Sequence, residues 1–205
     1  SDLRVLNSGY KDIQRLSNKI AELKSVKDKI KSQLYQDLFV LMETDFKRNG
    51  YFVEFGAADG LKNSNTYLLE AEFGWNGILA EPGRAWHKML NENRSATIDN
   101  RCVWIETGKT LKFTEANDKE FSTLSQYSKT TPKRVRSNAC VEYDVETISL
   151  NDLLTAHAAP FDIDYISIDT EGSEFEILKN FNFSRYNVAI FSIEHNFSPA
   201  RQEIY

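Results

Sequence analysis

The sequence predicts an α/β protein built on a mostly parallel, doubly wound sheet. From residue 51 onward, apolar runs of strand length alternate with segments of helical periodicity, and strands that alternate with helices usually pair in parallel. The chain has 205 residues, 41% of them hydrophobic, with only 4 prolines and 9 glycines. This composition is typical of a folded domain and excludes disordered and collagen-like chains.

The predicted strands and helices follow one another from residue 51 to the C-terminal end. Strands are predicted at residues 51–56, 77–81, 102–105, 111–114, 141–148, 165–168 and 188–193. Helices are predicted at residues 64–73, capped by Ser64 or Asn65, at 84–93, around 153 after a capping box at Ser149, and at 174–179. The period-two alternation of residues 111–114 and 141–148 indicates partly exposed strands or a hairpin.

Residues 1–33 are predicted to form an amphipathic helical extension to a domain over residues 34–205. They carry a net charge of +4, which leaves −9 for the remainder. Apolar residues recur from this segment into the first residue of the domain at spacings of three, four and seven: Leu6, Ile13, Leu16, Ile20, Leu23, Ile30 and Leu34. Such spacing is typical of a coiled coil or of a helix packed on another surface. The extension therefore packs on its own domain, continues a longer polypeptide or joins a second copy in a homo-oligomer.

Charge and residue usage disfavour several functional classes. The 25 Lys and Arg against 30 Asp and Glu give a net charge of −5, which argues against a dedicated nucleic-acid binder. No apolar run approaches the roughly 20 residues that a bilayer requires, and no signal peptide opens the chain. Cys102 and Cys140 provide neither a disulfide framework nor the paired spacing of a zinc site. We therefore predict a cytoplasmic protein without a transmembrane segment.

Candidate ligand-binding residues follow the first two predicted strands. In parallel sheets, ligands bind beyond the carboxyl ends of the strands. Gly56 and Gly60 flank a turn that contains Asp59, and this turn lacks one glycine of the dinucleotide fingerprint, which disfavours a dehydrogenase. Acidic residues at such a turn suit a positively charged ligand such as S-adenosylmethionine, whose amino group could donate to Glu54 or Asp59. Glu81, at the end of the next strand, could accept hydrogen bonds from both ribose hydroxyls.

A second group of polar residues follows the last two predicted strands. Asp169 and Glu171 come after residues 165–168, and His195 follows residues 188–193. If these strands are neighbours, the three side chains converge on one crevice, where His195 could act as a general base beside carboxylates. Two alternatives stay open, because the carboxylates could instead cap the next helix, or the group could hold a divalent metal ion.

Six sequence segments stand in a fixed order along the chain. They are SQLYQD at residues 32–37, FVEFGAADG at 52–60, SNTYLLE at 64–70, GILAEP at 77–82, IDTEGSE at 168–174 and EHN at 194–196. Together they resemble the FkbM family of S-adenosylmethionine-dependent methyltransferases, from about Ser32 to the end. The resemblance implies a class I methyltransferase fold, which is Rossmann-like, and S-adenosylmethionine as cofactor. The reaction it implies is O-methylation of a hydroxyl on a sugar, glycan or secondary metabolite.

The resemblance and the strand-end argument together define the expected cofactor site. The expected cofactor residues are Gln36, Asp37, Glu54, Gly56, Ala57, Asp59, Gly60, Asn65, Glu81, Asn100 and Asp169. Of these, Gln36 and Asp37 are expected to close over the cofactor, and Asn100 to lie on its adenine side. No metal ion is included in this expectation. The expected partner is a small-molecule or glycan acceptor that carries a hydroxyl.

Methyl transfer to a hydroxyl requires the removal of one proton. The expected catalytic residues are His195 as base, with Asp169 or Glu171 orienting its ring. The polar segment 117–138 contains Arg134 and Arg136, and it is predicted to be either a solvated insertion or a lid that binds an acidic acceptor.

Two departures from the family pattern limit what the resemblance implies. The family's sheet continues past the fifth strand with a helix and an antiparallel strand pair, whereas nine residues follow Asn196 here. We therefore expect this strand pair to be absent and the domain to be C-terminally incomplete. The family also includes Star-like proteins, associated with membrane trafficking rather than catalysis. A non-catalytic binding or assembly module is thus the alternative function.

Overall fold

The fold is a mixed α/β arrangement with a five-stranded parallel sheet at its centre. A computed structural model describes residues 2–119, 122–127 and 141–194, with side chains described from Lys11 onward. The sheet has the order β3-β2-β1-β8-β9, and all four neighbouring pairs run parallel. Its strands are β1 (Tyr51–Phe55), β2 (Asn76–Ala80), β3 (Thr97–Asp99), β8 (Asp162–Ile168) and β9 (Asn187–Ile193). This sheet is compatible with a methyltransferase-like α/β fold.

The strand register brings the carboxyl ends of the central sheet into one row. Phe55 of β1 pairs with Ala80 of β2 and with Ile168 of β8, and Ile168 pairs in turn with Ile193 of β9. The residues that immediately follow these strands therefore stand side by side at one edge of the sheet. They are Gly56, Glu81, Asp169 and Glu194.

A second sheet is inserted in the chain between β3 and β8. Its order is β4-β7-β5-β6, and its strands are β4 (Cys102–Trp104), β5 (Thr110–Glu115), β6 (Thr123–Leu124) and β7 (Val141–Ser149). The antiparallel pairing of β5 with β7 confirms the predicted pair of partly exposed strands. The strand predicted at residues 102–105 is present as β4, but among the described residues it pairs with β7 of the second sheet and not with the central sheet. Thr97–Asp99 pairs with β2 instead.

Helices cover the central sheet on both faces. They are α1 (Asp2–Val26), α2 (Gln36–Glu43), α3 (Tyr67–Phe73), α4 (His87–Asn93), α5 (Leu150–Ala156) and α6 (Glu174–Lys179). Alternate residues of β1 belong to different apolar clusters: Val53 packs with the second sheet, α5 and α6, whereas Phe52 packs with α2, α3 and α4. The predicted cap of α5 is confirmed, since Ser149 Oγ accepts from the backbone N–H of Asp152 at 3.1 Å.

Helix α1 contacts the domain mainly through its C-terminal end. Val26 is buried and Leu23 packs beside it on the second apolar cluster, so this end of the helix contacts the residues that cover the central sheet. Toward the N-terminus of the same helix, the side chains of Ile13, Leu16 and Ile20 are 68%, 60% and 44% exposed. Within the part of the chain that the structure describes, no helix is long and apolar enough to cross a membrane.

Candidate active site

A cavity of about 310 Å³ opens at the carboxyl edge of the central sheet. The row of residues that immediately follows β1, β2, β8 and β9 forms the floor of this cavity. The second sheet contributes Phe113 and Leu124 to a side wall. Eight of the residues predicted for the site line this cavity: Gln36, Glu54, Gly56, Ala57, Asn65, Glu81, Asp169 and Glu171. The sheet therefore brings most of the predicted residues together.

Glu81 is a buried carboxylate held by two backbone donors. Its Oε2 accepts from the N–H of Ala58 at 2.8 Å, and its Oε1 accepts from the N–H of Gly83 at 2.7 Å. Burial raises the pKa of Glu81 to about 7, and the negative charges of Asp169 and Glu115 act in the same direction. A carboxylate has about four acceptor positions, so Glu81 keeps two for a ligand that donates hydrogen bonds.

Glu54 fixes the loop that precedes α3. Its Oε1 accepts from the backbone N–H of Asn65 at 2.8 Å, and its Oε2 accepts from the hydroxyls of Ser64, at 3.0 Å, and Thr66. The buried guanidinium of Arg94 lies 3.6 Å from the same carboxylate and donates to both hydroxyls. Because these groups occupy Glu54, its main observed role is to position Asn65. The same contacts hold residues 64–66 in the loop, and α3 therefore begins at Tyr67 and not at residue 64.

Asn65 presents an acceptor with no partner at the wall of the cavity. Its Nδ2 donates to the Ser167 hydroxyl at 2.9 Å, but its Oδ1 has no hydrogen-bond partner among residues 2–119, 122–127 and 141–194. The residue is only 8% exposed, and an unpaired buried acceptor costs about 1–3 kcal/mol. A ligand with an N–H donor, such as the ammonium group of an amino acid, would satisfy this atom.

Gly56 occupies the centre of the cavity floor, where a side chain would not fit. Its φ of +80° is a conformation that favours glycine, and an added Cβ would lie 1.7 Å from the backbone oxygen of Asp169. The following turn contains Asp59, whose Oδ1 accepts from the N–H groups of Leu61 and Lys62 at 2.9 and 2.8 Å. Asp59 and Gly60 shape this turn but do not line the cavity.

Three carboxylates converge beyond β8 and β9. One oxygen from each of Asp169, Glu171 and Glu194 lies within 4.8 Å of the others. Asp169 is accessible from the mouth of the crevice, yet surrounding protein atoms reduce its hydration. That desolvation, the charge of Glu194 and a hydrogen bond between the two carboxyls raise the pKa of Asp169 well above its usual value. Such a group can share a proton or bind a divalent cation.

His195, the expected base, lies outside the described residues, although it directly follows Glu194 in the sequence. The basic residues Arg134 and Arg136 of the expected lid also lie outside them. From the beginning of this segment, Lys119, Ser122 and Leu124 line the cavity. The roles of the base and of the lid therefore stay predictions.

Two predicted residues near the start of the domain occupy different positions. Gln36 lines the cavity, and its Oε1 accepts from the N–H of Leu34 at 2.8 Å. Asp37 is fully buried and does not line the cavity, because its carboxylate accepts from the hydroxyl of Ser32 at 2.5 Å and from the N–H of Leu38 at 2.7 Å. Asp37 therefore supports the segment that carries Gln36.

Asn100, the adenine-side candidate, is exposed and lies outside the cavity wall. Its neighbour Asp99 accepts from Arg101 at 2.6 Å and pairs with His157 at 2.8 Å. Burial alone would raise the pKa of Asp99, but these hydrogen bonds outweigh it and hold the pKa at about 2. His157, which directly follows α5, is thereby held beside Asp99.

The sequence did not indicate the apolar part of the cavity. Trp86, just before α4, lines the cavity together with Pro82 and Val103, and Lys119 Nζ lies 5.7 Å from the centroid of its ring. Cys102 lines the same region, where burial raises the pKa of its thiol to about 12 and keeps it protonated. The signal that could have found Trp86 is its position five residues after Glu81, at the start of the helix that follows β2.

Comparison with known protein families matches most of the chain to one family model. The family model described as the methyltransferase FkbM domain matches residues 54–204, about three quarters of the sequence. Comparison with curated proteins and with solved structures gave no significant match. The matched range includes Glu54, Gly56, Glu81 and Asp169 at the cavity, and the chain belongs to the FkbM methyltransferase domain family.

Proposed function

We propose that this protein is an S-adenosylmethionine-dependent O-methyltransferase that acts on a hydroxyl of a sugar, glycan or secondary metabolite. One observation carries the proposal: the unpaired Oδ1 of Asn65 and the buried carboxylate of Glu81 line one cavity, on either side of Gly56. S-adenosylmethionine has donors for both groups, namely an ammonium group and two ribose hydroxyls. The family match to a methyltransferase domain supports this cofactor class.

The residues of the cavity fit the charges of this cofactor. S-adenosylmethionine carries a sulfonium, an ammonium and one carboxylate, and the cavity is lined by Glu81, Asp169 and Glu171. Acidic groups around a cationic ligand favour its binding by charge attraction. Asn65 would accept from the ammonium and Glu81 from the ribose, while Trp86 and Val103 offer an apolar surface beside Glu81 for the purine. When bound, the cofactor supplies an electrophilic methyl group and a neutral thioether leaving group.

The protein must also take one proton from the acceptor hydroxyl. The carboxylates of Asp169, Glu171 and Glu194 lie together at the opposite end of the row from Glu81. Our hypothesis keeps His195 as the general base, with Asp169 or Glu171 orienting it, since a carboxylate beside a histidine stabilises the imidazolium that forms. A divalent cation bound by the three carboxylates is the alternative way to activate the hydroxyl.

The second sheet supplies surface for the acceptor. Phe113 and Leu124 are buried at the cavity wall, and Ser122 and Lys119 are polar groups beside them. An acceptor with an apolar ring face and several hydroxyls matches this combination, because the ring can pack on the side wall while hydroxyls reach the polar groups. These residues belong to the part of the chain inserted between β3 and β8. They are therefore separate from the strand ends of the central sheet, which we propose to bind the cofactor.

The test is transfer of a tritium-labelled methyl group from S-adenosylmethionine to a panel of hexoses, glycosides and polyketide alcohols. The proposal expects incorporation into at least one acceptor, with an O-methyl product identified by mass spectrometry and NMR. Methylation at nitrogen or carbon would contradict the proposed reaction. Tight cofactor binding without transfer to any acceptor would instead favour the non-catalytic binding module.

A further inference from the structure

One face of helix α1 is apolar and largely unpartnered beyond the point where the helix leaves the domain. In heptad notation, Ile13 and Ile20 occupy position a, and Leu16 and Leu23 occupy position d. Leu23 packs against the domain, whereas Ile13, Leu16 and Ile20 are each at least 44% exposed. We call this row of a and d residues, Ile13, Leu16, Ile20 and Leu23, the seam of the helix. Its C-terminal end contacts the domain at Leu23, and the rest of it, toward the N-terminus, is exposed to solvent.

Most of the exposed apolar side chains lie in the N-terminal part of the described chain. Of the eleven large apolar side chains that are well exposed among the described residues, seven lie between residues 13 and 42. They include Phe39 and Met42, three residues apart on α2. Ile13, Leu16 and Ile20 share one face of α1, and exposed apolar patches mark interaction sites in soluble proteins.

The ion pairs of α1 fix which side of the helix faces the domain. Arg15 and Lys19 both pair with Asp45, which follows α2. These contacts hold the flank at positions c and g against the domain and leave the seam of Ile13, Leu16 and Ile20 open. Asp45 also offsets part of the positive charge of Lys19, which at position g would otherwise repel Lys24 of a parallel partner helix more strongly.

We propose that α1 pairs in parallel with α1 of a second copy of this chain, forming a two-stranded coiled coil that joins two domains. Ile at position a with Leu at position d is the combination that favours two parallel strands over three or four. A parallel pair is also self-complementary, because Ile13, Leu16 and Ile20 would each meet their own copy, as a twofold-symmetric interface requires. This inference is independent of the proposed reaction, since none of these residues lines the cavity.

Sedimentation equilibrium of the full chain tests the stoichiometry. The parent should dissociate from dimer to monomer as its concentration falls, and Leu16→Glu should raise the dimer dissociation constant at least about tenfold, because it places a charge in the seam. The matched control is Asn18→Glu, which adds the same charge at an exposed position two residues away and should leave the dissociation constant unchanged. Far-UV circular dichroism and the melting temperature would show that both variants are folded.

Disulfide cross-linking tests the orientation. In a Cys140→Ser background, Ile13→Cys and Ile20→Cys should each form a covalent dimer under mild oxidation, because position a meets position a only in a parallel, in-register pair. Asn18→Cys should not. A monomeric parent, a dimer unaffected by Leu16→Glu, an assembly of more than two copies or cross-linking through Asn18→Cys alone would overturn the proposal.

Discussion

The backbone N–H of Asn65 donates a 2.8 Å hydrogen bond to the buried carboxylate of Glu54. Through this contact, a residue within β1 positions a residue whose side-chain oxygen has no partner among the described residues. The two residues therefore separate stability from binding, since Glu54 holds the loop and Asn65 is available to the ligand.

Glu54→Gln should reduce the stability of the fold, whereas Asn65→Leu should reduce the affinity for the cofactor. Removing one partner of a buried ion pair typically costs about 3–5 kcal/mol, so Glu54→Gln should lower the free energy of unfolding by about 3 kcal/mol. Asn65→Leu removes an unpaired acceptor and also the hydrogen bond from Nδ2 to Ser167. Because these two changes offset each other, the free energy of unfolding should stay within about 1 kcal/mol of the parent, while S-adenosylmethionine binding should weaken about tenfold or more. Urea denaturation and calorimetric titration measure the two quantities. Equal stability losses in both variants would contradict this separation of roles.

Glu81 should make stability and cofactor binding respond to pH in opposite directions. Its pKa is raised from 4.5 to about 7 in the folded chain, so between these values the folded state retains a proton that the unfolded state releases. The stabilising contribution of Glu81 is therefore complete below pH 4.5, falls as the pH rises to 7 and changes little above it. Glu81→Gln should flatten this part of the curve when the melting temperature is followed against pH.

Binding of the cofactor should strengthen as the pH rises through 7, because ionised Glu81 is the better acceptor for ribose hydroxyls. Between pH 6 and pH 8, the affinity of the parent for S-adenosylmethionine should rise about tenfold. The same titration of Glu81→Gln should show a weaker and nearly pH-independent affinity. A parent whose affinity is constant over this range would contradict the assignment of Glu81.

The fluorescence of Trp86 should change when the adenine of the cofactor binds beside it. The other two tryptophans are buried and do not line the cavity. Trp75 Nε1 donates to the backbone oxygen of Lys47 at 2.7 Å, and Trp104 packs against Tyr127. S-adenosylhomocysteine should therefore quench the fluorescence of the parent, and Trp86→Phe should abolish the change while retaining measurable binding. Quenching that persists in Trp86→Phe, and disappears in Trp104→Phe, would place the adenine elsewhere.

His195→Ala should separate chemistry from binding. A positioned base contributes about 10²- to 10⁴-fold to turnover, so this variant should lose turnover by that factor with any acceptor found in the methyl-transfer screen. Its affinity for S-adenosylmethionine should match that of the parent. Asp169→Asn serves as a comparison, because it should lower turnover by altering the orientation of the base. Full turnover in His195→Ala would shift the role of base to the carboxylates.

The sequence predicts β8 and β9 because residues 165–168 and 188–193 are apolar apart from one serine in each. Residues 165–168 of β8 are buried, whereas β9, at the edge of the sheet, is only partly buried. The row of Gly56, Glu81 and Asp169 follows from those strands once their register is known. The short strand Thr97–Asp99 was missed because only Asp99 in it is buried, which gives no apolar signal.

The side wall of the site depends on contacts between distant parts of the chain. β5 pairs with β7 across a separation of about thirty residues, and this pairing buries Phe113 at the cavity. Nothing local to residues 110–115 indicates that partner. The unpaired oxygen of Asn65 likewise arises only when Glu54 and Ser167 have taken its other groups.

Calorimetric titration of the chain with S-adenosylmethionine and S-adenosylhomocysteine tests the central claim most directly, with Glu81→Gln as the site variant and Glu92→Gln, on the exposed surface of α4, as the matched control. The proposed site predicts one molecule of either compound per chain with a dissociation constant in the micromolar range, weakened at least about tenfold in Glu81→Gln and unchanged in Glu92→Gln. Absence of binding in the parent, or binding that Glu81→Gln leaves intact, would contradict it.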